Sequence, residues 1–171
     1  MRQIIVISLF ILSTLSCGRG DGKVVSTDNE NCDFKFEINQ ESANSYSYDS
    51  QTGNLRKLLD PFKENKLYAD TSIILSKASL CELMEMFEAY KISSYPNEFH
   101  PKGMGMLTPS PSYHIIFTNN NQETEINWSI NTVTFESEEA SKLREILNKI
   151  DSILLTSPEF RQLPKQEYEW L

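Results

Sequence analysis

Cys32-Asp33-Phe34-Lys35-Phe36-Glu37-Ile38-Asn39 alternates apolar and polar side chains at every step. Successive side chains of a strand point to opposite faces. The stretch therefore predicts a strand with Cys32, Phe34, Phe36 and Ile38 buried and Asp33, Lys35, Glu37 and Asn39 in water. A strand with one apolar face needs a cover, and two stretches with helical spacing supply it. After Ser137, a capping residue, Leu143, Ile146, Leu147, Ile150, Ile153 and Leu154 recur along one stripe, while Glu138 and Glu139 suit the positive end of the helix dipole. Leu80, Leu83, Met84, Phe87 and Tyr90 mark a second helix over about 77–91, with Ser79 and Glu82 at capping-box spacing. Glu82, Glu85 and Glu88 fall on its solvated side. This pattern predicts an α+β fold, an antiparallel sheet packed on one face by two amphipathic helices.

The remaining strands follow outward from that frame. Tyr46 and Tyr48 alternate with serines, residues 49–53 form a turn cluster, and Leu55 to Leu59 resumes an apolar run that Pro61 ends. Tyr68 to Leu75 reads as another strand. Tyr113 to Thr118 and Thr124 to Ile130 flank Asn119-Asn120-Asn121-Gln122, the signature of a hairpin. Asn131 breaks the phase before Val133 and Phe135. Ser157-Pro158 stops the long helix and suits the start of one more turn. Between the first helix and the hairpin, residues 92–111 carry Pro96, Pro101, Pro109 and Pro111 with Gly103 and Gly105 and no period, which predicts a long loop. Residues 32–171 are thus read as a single domain.

Upstream, Arg2 precedes an almost unbroken run of Ile, Val, Leu and Phe over 4–12, and Ser13 to Ser16 lead to Cys17. A charged start, a short apolar core and a small-residue exit predict an export signal over 1–16. The run is shorter than the about 20 residues that span a bilayer. Around Cys17 the chain resembles the lipobox of bacterial lipoproteins, with Ser16 and Leu15 in fitting places and Thr14 where leucine is usual. The resemblance covers residues 1–17. It implies a Cys17 thiol carrying diacylglycerol, an acylated amine and an exported, membrane-anchored protein of the cell envelope. Gly18, without an acidic run behind it, resembles lipoproteins carried to the outer membrane. Residues 17–31 then read as the lipidated cysteine and a polar, glycine-rich tether. The domain's element order loosely resembles uncharacterised lipid-anchored domains of the Bacteroidota.

Charge and cysteine count narrow the chemistry. The 171 residues hold 16 basic and 24 acidic side chains. Removing 1–16 takes away Arg2 and no acid, so the mature part is more acidic still. Nucleic acid is an unfitting partner for such a surface, whereas a cationic protein suits it. With Cys17 in lipid, Cys32 and Cys81 remain; an even count outside the cytoplasm permits one disulfide, and two separate buried thiols are the alternative.

No catalytic set emerges. The chain has only His100 and His114, no Gly-x-Ser-x-Gly elbow, no phosphate loop and no H-E-x-x-H. No motif demands a cofactor. The one metal arrangement to weigh is His100 with Met104 and Met106, near Met84 and Met86, whose soft thioethers suit Cu(I); methionines packing the core are the plainer account. The expectation is a non-enzymatic, lipid-anchored binding domain. An immunity or inhibitor lipoprotein that neutralises a cationic toxin or hydrolase is the alternative, and copper handling a further one.

Overall fold

The computed structural model describes residues 32–41, 45–60, 66–100, 111–130 and 136–165. Residues 1–31, in which a leader, a lipidated Cys17 and a tether are expected, and Met104, Met106, Val133 and Phe135 lie outside them. The elements are β1 (Phe34–Glu41), β2 (Tyr46–Asp49), β3 (Asn54–Asp60), β4 (Leu67–Ser72), α1 (Lys77–Ala89), a 3-10 turn (Ile92–Ser94), β5 (Glu98–Phe99), β6 (Ser112–Asn119), β7 (Gln122–Ser129), α2 (Glu138–Thr156) and α3 (Pro158–Arg161). The α+β class holds.

Seven strands form one sheet in the order β4-β3-β2-β1-β6-β7-β5. Every neighbouring pair is antiparallel except one: Glu98 and Phe99 of β5 lie parallel to Asn127 and Trp128 of β7. The sheet is therefore mixed, which corrects the all-antiparallel expectation. The cause is the connection through α1, which carries the chain from the β4 edge to the opposite edge, where β5 joins in the direction of β7. The stretch 92–111 is also more structured than a featureless loop, since the 3-10 turn and β5 lie within it.

Alternation in β1 places its side chains as the sequence predicts. Phe34, Phe36 and Ile38 are buried, and opposite them on β6 stand Phe117 and Ile115. Phe87 of α1 completes an aromatic cluster, 5.6 Å from Phe34 and 5.3 Å from Phe117 between ring centroids. A helix of 13 residues is marginal on its own in water. Its burial of Leu83 and Phe87 supplies about 1.5–3 kcal/mol per side chain. The exposed ion pair between Glu82 and Lys149 of α2, 2.6 Å apart, contributes at most about 1 kcal/mol. The apolar seam, not the charge pair, holds α1 in place.

The caps explain where the helices begin. Ser137 accepts the Ala140 N–H at 3.2 Å, as its position predicts. For α1 the cap is Ser76, whose hydroxyl accepts the Ser79 N–H at 3.1 Å. That cap lies one turn before the Ser79–Glu82 box expected from spacing, since β4 stops at Ser72 and Ser76 is extended with its hydroxyl on the Ser79 N–H. Ser157 caps α3 in the same way. At the β6–β7 turn, Asn120 and Asn121 both have positive φ, the conformation a two-residue hairpin loop requires.

Gly53 is the tightest backbone position. Its φ is +74°, and a β-carbon there would lie 2.4 Å from Ile74 Cδ1 and 2.9 Å from the Ile73 carbonyl oxygen. Its own carbonyl accepts the Ile73 N–H at 2.8 Å, tying the β2–β3 turn to the approach of α1. Gly53→Ala should lower unfolding stability by about 1–3 kcal/mol, read by urea denaturation. Wild-type stability in that variant would contradict the close packing of this turn.

Candidate functional site

Both long helices cover one face of the sheet, and the opposite face carries the polar half of each strand's alternation. Register aligns these side chains across all seven strands. Asp70 pairs with Arg56, Arg56 with Ser47, Ser47 with Asn39, Asn39 with His114, His114 with Asn127, and Asn127 with Glu98. A second row runs from Asp49 through Glu37 and Ile116 to Glu125. Glu41, Ser112 and Ser129 form a third.

This face is acidic. Glu37, Glu41, Asp49, Asp70, Glu98, Glu123 and Glu125 lie on it against Lys35 and Arg56. Both bases are engaged locally: Arg56 Nε lies 2.8 Å from Asp70, and Lys35 lies 3.6 Å from Asp33. Their charge is thus neutralised beside them, leaving the other carboxylates to set the potential.

Two shallow depressions open on the face. The larger, about 620 Å³, lies over β1–β4 and is bordered by Glu37, Asn39, Ser47, Asp49, Arg56 and Asp70. The smaller, about 270 Å³, lies toward β5 and is bordered by Glu41, Glu98, His100, Ser112 and Asn127. His114 borders both.

A hydrogen-bond network fixes His114. Asn127 Nδ2 donates to Asn97 Oδ1 at 2.7 Å and to Glu98 Oε1 at 3.1 Å. The Asn127 oxygen therefore turns toward His114, and Nδ1, 2.8 Å away, must donate to it. Asn97 Nδ2 donates in turn to Glu125 at 2.9 Å, and Glu125 stands 3.7 Å from the same imidazole nitrogen. With Nδ1 occupied, Nε2 is the nitrogen left for a ligand. The partners of Nδ1 are an amide and a carboxylate, which fix the tautomer and the orientation of the ring.

The structure gathers some predicted residues and separates others. His100 and His114, far apart in sequence, border the same depression. Met84 and Met86 pack against the core as half-buried side chains. Among the described residues, no group of three or more His, Cys, Asp or Glu side chains converges to hold a metal ion. Cys32 and Cys81 are both half-buried free thiols. Burial, then the neighbouring Cys81, pushes the Cys32 thiol up to about 11. The transverse polar row escaped sequence reading, because strand register is absent from local periodicity. Its only signal was the polar half of the alternation at Lys35, Glu37 and Asn39.

A second polar cluster sits on the helix-covered side. Tyr46 of β2, 4% exposed, donates its hydroxyl to the Asp151 carboxylate of α2. Burial, then the nearby Asp151 carboxylate, pushes the Tyr113 hydroxyl above its ordinary ionisation range, and Gln40 Nε2 donates to that hydroxyl at 3.3 Å. Burial drives Asp151 above its ordinary value of 3.8, while the bond from Tyr46 pulls the other way. The cluster pins α2 to the sheet.

Because the folded state holds the Asp151 proton more tightly than the unfolded chain, the stability it adds is complete below the unfolded value and is lost as pH rises through the folded one. Asp151→Asn keeps an acceptor for Tyr46 and removes the buried charge. Its stability relative to wild type should rise as pH increases above the ordinary carboxylate value of 3.8, measured by urea denaturation. A pH-independent difference would show that Asp151 ionises as freely in the folded protein as in the unfolded chain. No known protein family matches this chain, nor does any curated protein, so its function is read from the residues themselves.

Proposed function

We propose that this chain is a lipid-anchored protein of the bacterial cell envelope that acts by binding, with the bare sheet face as its contact surface for a cationic protein. The observation that carries this reading is the open face itself: one polar row crosses all seven strands, uncovered by either long helix, with carboxylates in excess over two bases already engaged by acids. Unlike charges steer diffusional encounter and select among partners. The depressions on either side of His114 give that surface relief into which a partner's side chains can fit.

Attachment rests on Cys17 and the segment before it. Each buried methylene contributes about 0.8 kcal/mol, so two or three long acyl chains hold a domain durably at a membrane. No helix among the described residues is long and apolar enough to cross a bilayer. The polar, glycine-rich composition of residues 17–31 suits a spacer between anchor and domain. An immunity or inhibitor protein is one instance of this reading, with a cationic toxin or hydrolase as the partner; the acid excess of the open face favours it.

One experiment tests both halves. The full chain is expressed with its leader, and envelope membranes are separated from soluble protein before capture of bound proteins. Wild type should stay with membranes and Cys17→Ala should leave them. A captured partner should bind at least about tenfold more weakly in high salt or to the Glu37→Lys/Glu125→Lys variant, because screening and charge reversal remove the steering field. Glu85→Lys, on the solvated side of α1, should bind as wild type does. Equal losses in the Glu85 and Glu37/Glu125 variants would overturn the choice of face.

A further inference from the structure

We infer that two copies of this chain pair edge to edge through β4, antiparallel about a two-fold axis at Thr71. Large apolar side chains that stand exposed among the described residues concentrate on one short segment. Leu67 and Tyr68 lie in β4 and Ile74 just past its end, the last 75% exposed; Leu155 of α2 alone lies elsewhere. β4 is also an outer strand, with β3 on one side and no described strand on the other. The Ile73 N–H donates to the Gly53 carbonyl at 2.8 Å, so Ile73 turns its backbone polar groups toward β3. That direction alternates along a strand, and the same groups of Tyr68, Asp70, Ser72 and Ile74 therefore point away from the sheet. Exposed apolar side chains beside outward backbone groups are the features of an edge that takes up another strand.

The order of residues along this edge selects a second copy. In a two-fold contact, residue i meets j and j meets i. Outward groups must meet outward groups, which places the axis on a residue. An axis at Asp70 sets two carboxylates opposite each other, and one at Ser72 sets Asp70 against an isoleucine. An axis at Ala69 carries Ile74 past the partner's β4. At Thr71, Tyr68 meets the partner's Ile74, and Asp70 meets the partner's Ser72, whose hydroxyl can donate to the carboxylate. Each pair forms twice, and aromatic residues pair favourably with β-branched ones across strands.

Charge leads to the same place. With 24 acidic against 16 basic side chains, the chain as a whole repels its copies. On β4 the single acid is Asp70, and Arg56 Nε lies 2.8 Å from it, so two copies meet here without uncompensated like charge. The opposite edge offers less, since β5 has only two residues and one is Glu98. Residues paired across the axis lie on the same face, so the contact joins two seven-stranded sheets with their acidic faces side by side.

The test uses the full chain. On the axis a residue meets its own copy with α-carbons about 4.5 Å apart, within disulfide reach. Ala69, two residues away, lies roughly 14 Å from its own copy. Mild oxidation of cells expressing Thr71→Cys should give a disulfide-linked product of twice the chain's mass. Its yield should exceed that from Ala69→Cys, or from the chain without a new cysteine, by at least about tenfold. Adding Ser72→Asp, at an exposed position, should cut that yield at least about fivefold, because it faces each Asp70 with a second acid. Sedimentation equilibrium of the unaltered chain in density-matched detergent should show a mass rising toward two chains with concentration, a reading that needs no variant to fold. A mass fixed at one chain, no dimeric product from Thr71→Cys, equal products from positions 69 and 71, an undiminished yield with Ser72→Asp, or a product joining position 71 to a different protein would each overturn the inference. No cationic partner enters these measurements, so their outcome is separate from that of the binding reading.

Discussion

One-sided burial of the central strand pair governs this molecule. Phe34, Phe36 and Ile38 of β1 face the same way as Phe117 and Ile115 of β6, and across the pair Phe36 sits opposite Phe117 and Ile38 opposite Ile115. Phe87 closes this cluster from α1, while Leu143, Ile146, Leu147, Ile150 and Leu154 bring α2 onto the same side. Two helices suffice to cover that face, and the pleat then sends every intervening residue outward. The polar face is a direct consequence of the core. A one-residue slip in β1 would exchange the two and expose the phenylalanines, so register is strongly determined here.

The two faces divide the work. Polar groups on the covered side pin elements together, as Tyr46 and Asp151 do between β2 and α2 and Tyr90 and Glu145 do between α1 and α2. On the bare side the polar groups bond mainly along the sheet: Arg56 to Asp70, His114 to Asn127, Asn127 to Glu98. Such lateral bonds hold side chains in a defined array without using the face against another element. An ordered, acidic, uncovered array is economical as a contact surface, since little side-chain freedom remains to be lost on binding.

Periodicity made the elements legible. Alternation in β1, the stripes of α1 and α2, the Asn-rich hairpin turn and the Ser137 cap all lie within a few residues of where the pattern places them. What local pattern lacks is pairing across distance. Nothing in Glu98-Phe99 alone marks a two-residue parallel edge strand, because its partners Asn127 and Trp128 are supplied by the path of the chain through α1. The row from Asp70 to Glu98 is invisible for the same reason: it draws one residue from each strand and exists only once the register is set. Cys32 and Cys81 were legible as two remaining thiols by count, whereas the docking of the start of β1 on α1, Phe34 on Phe87, is a tertiary event. Ser76 took the cap expected around Ser79 because the strand ended early enough for the helix to begin at Lys77.

The central claim is that the bare face, rather than the helix-covered side, meets the partner. Its most direct test is site-specific photocrosslinking in intact envelopes. A photoreactive residue replaces Asn39, at the middle of the polar row, or Ser152, on α2 away from that face. The account predicts a discrete cross-linked partner from position 39 and none from position 152. A partner captured from position 152 and absent from position 39 would contradict it.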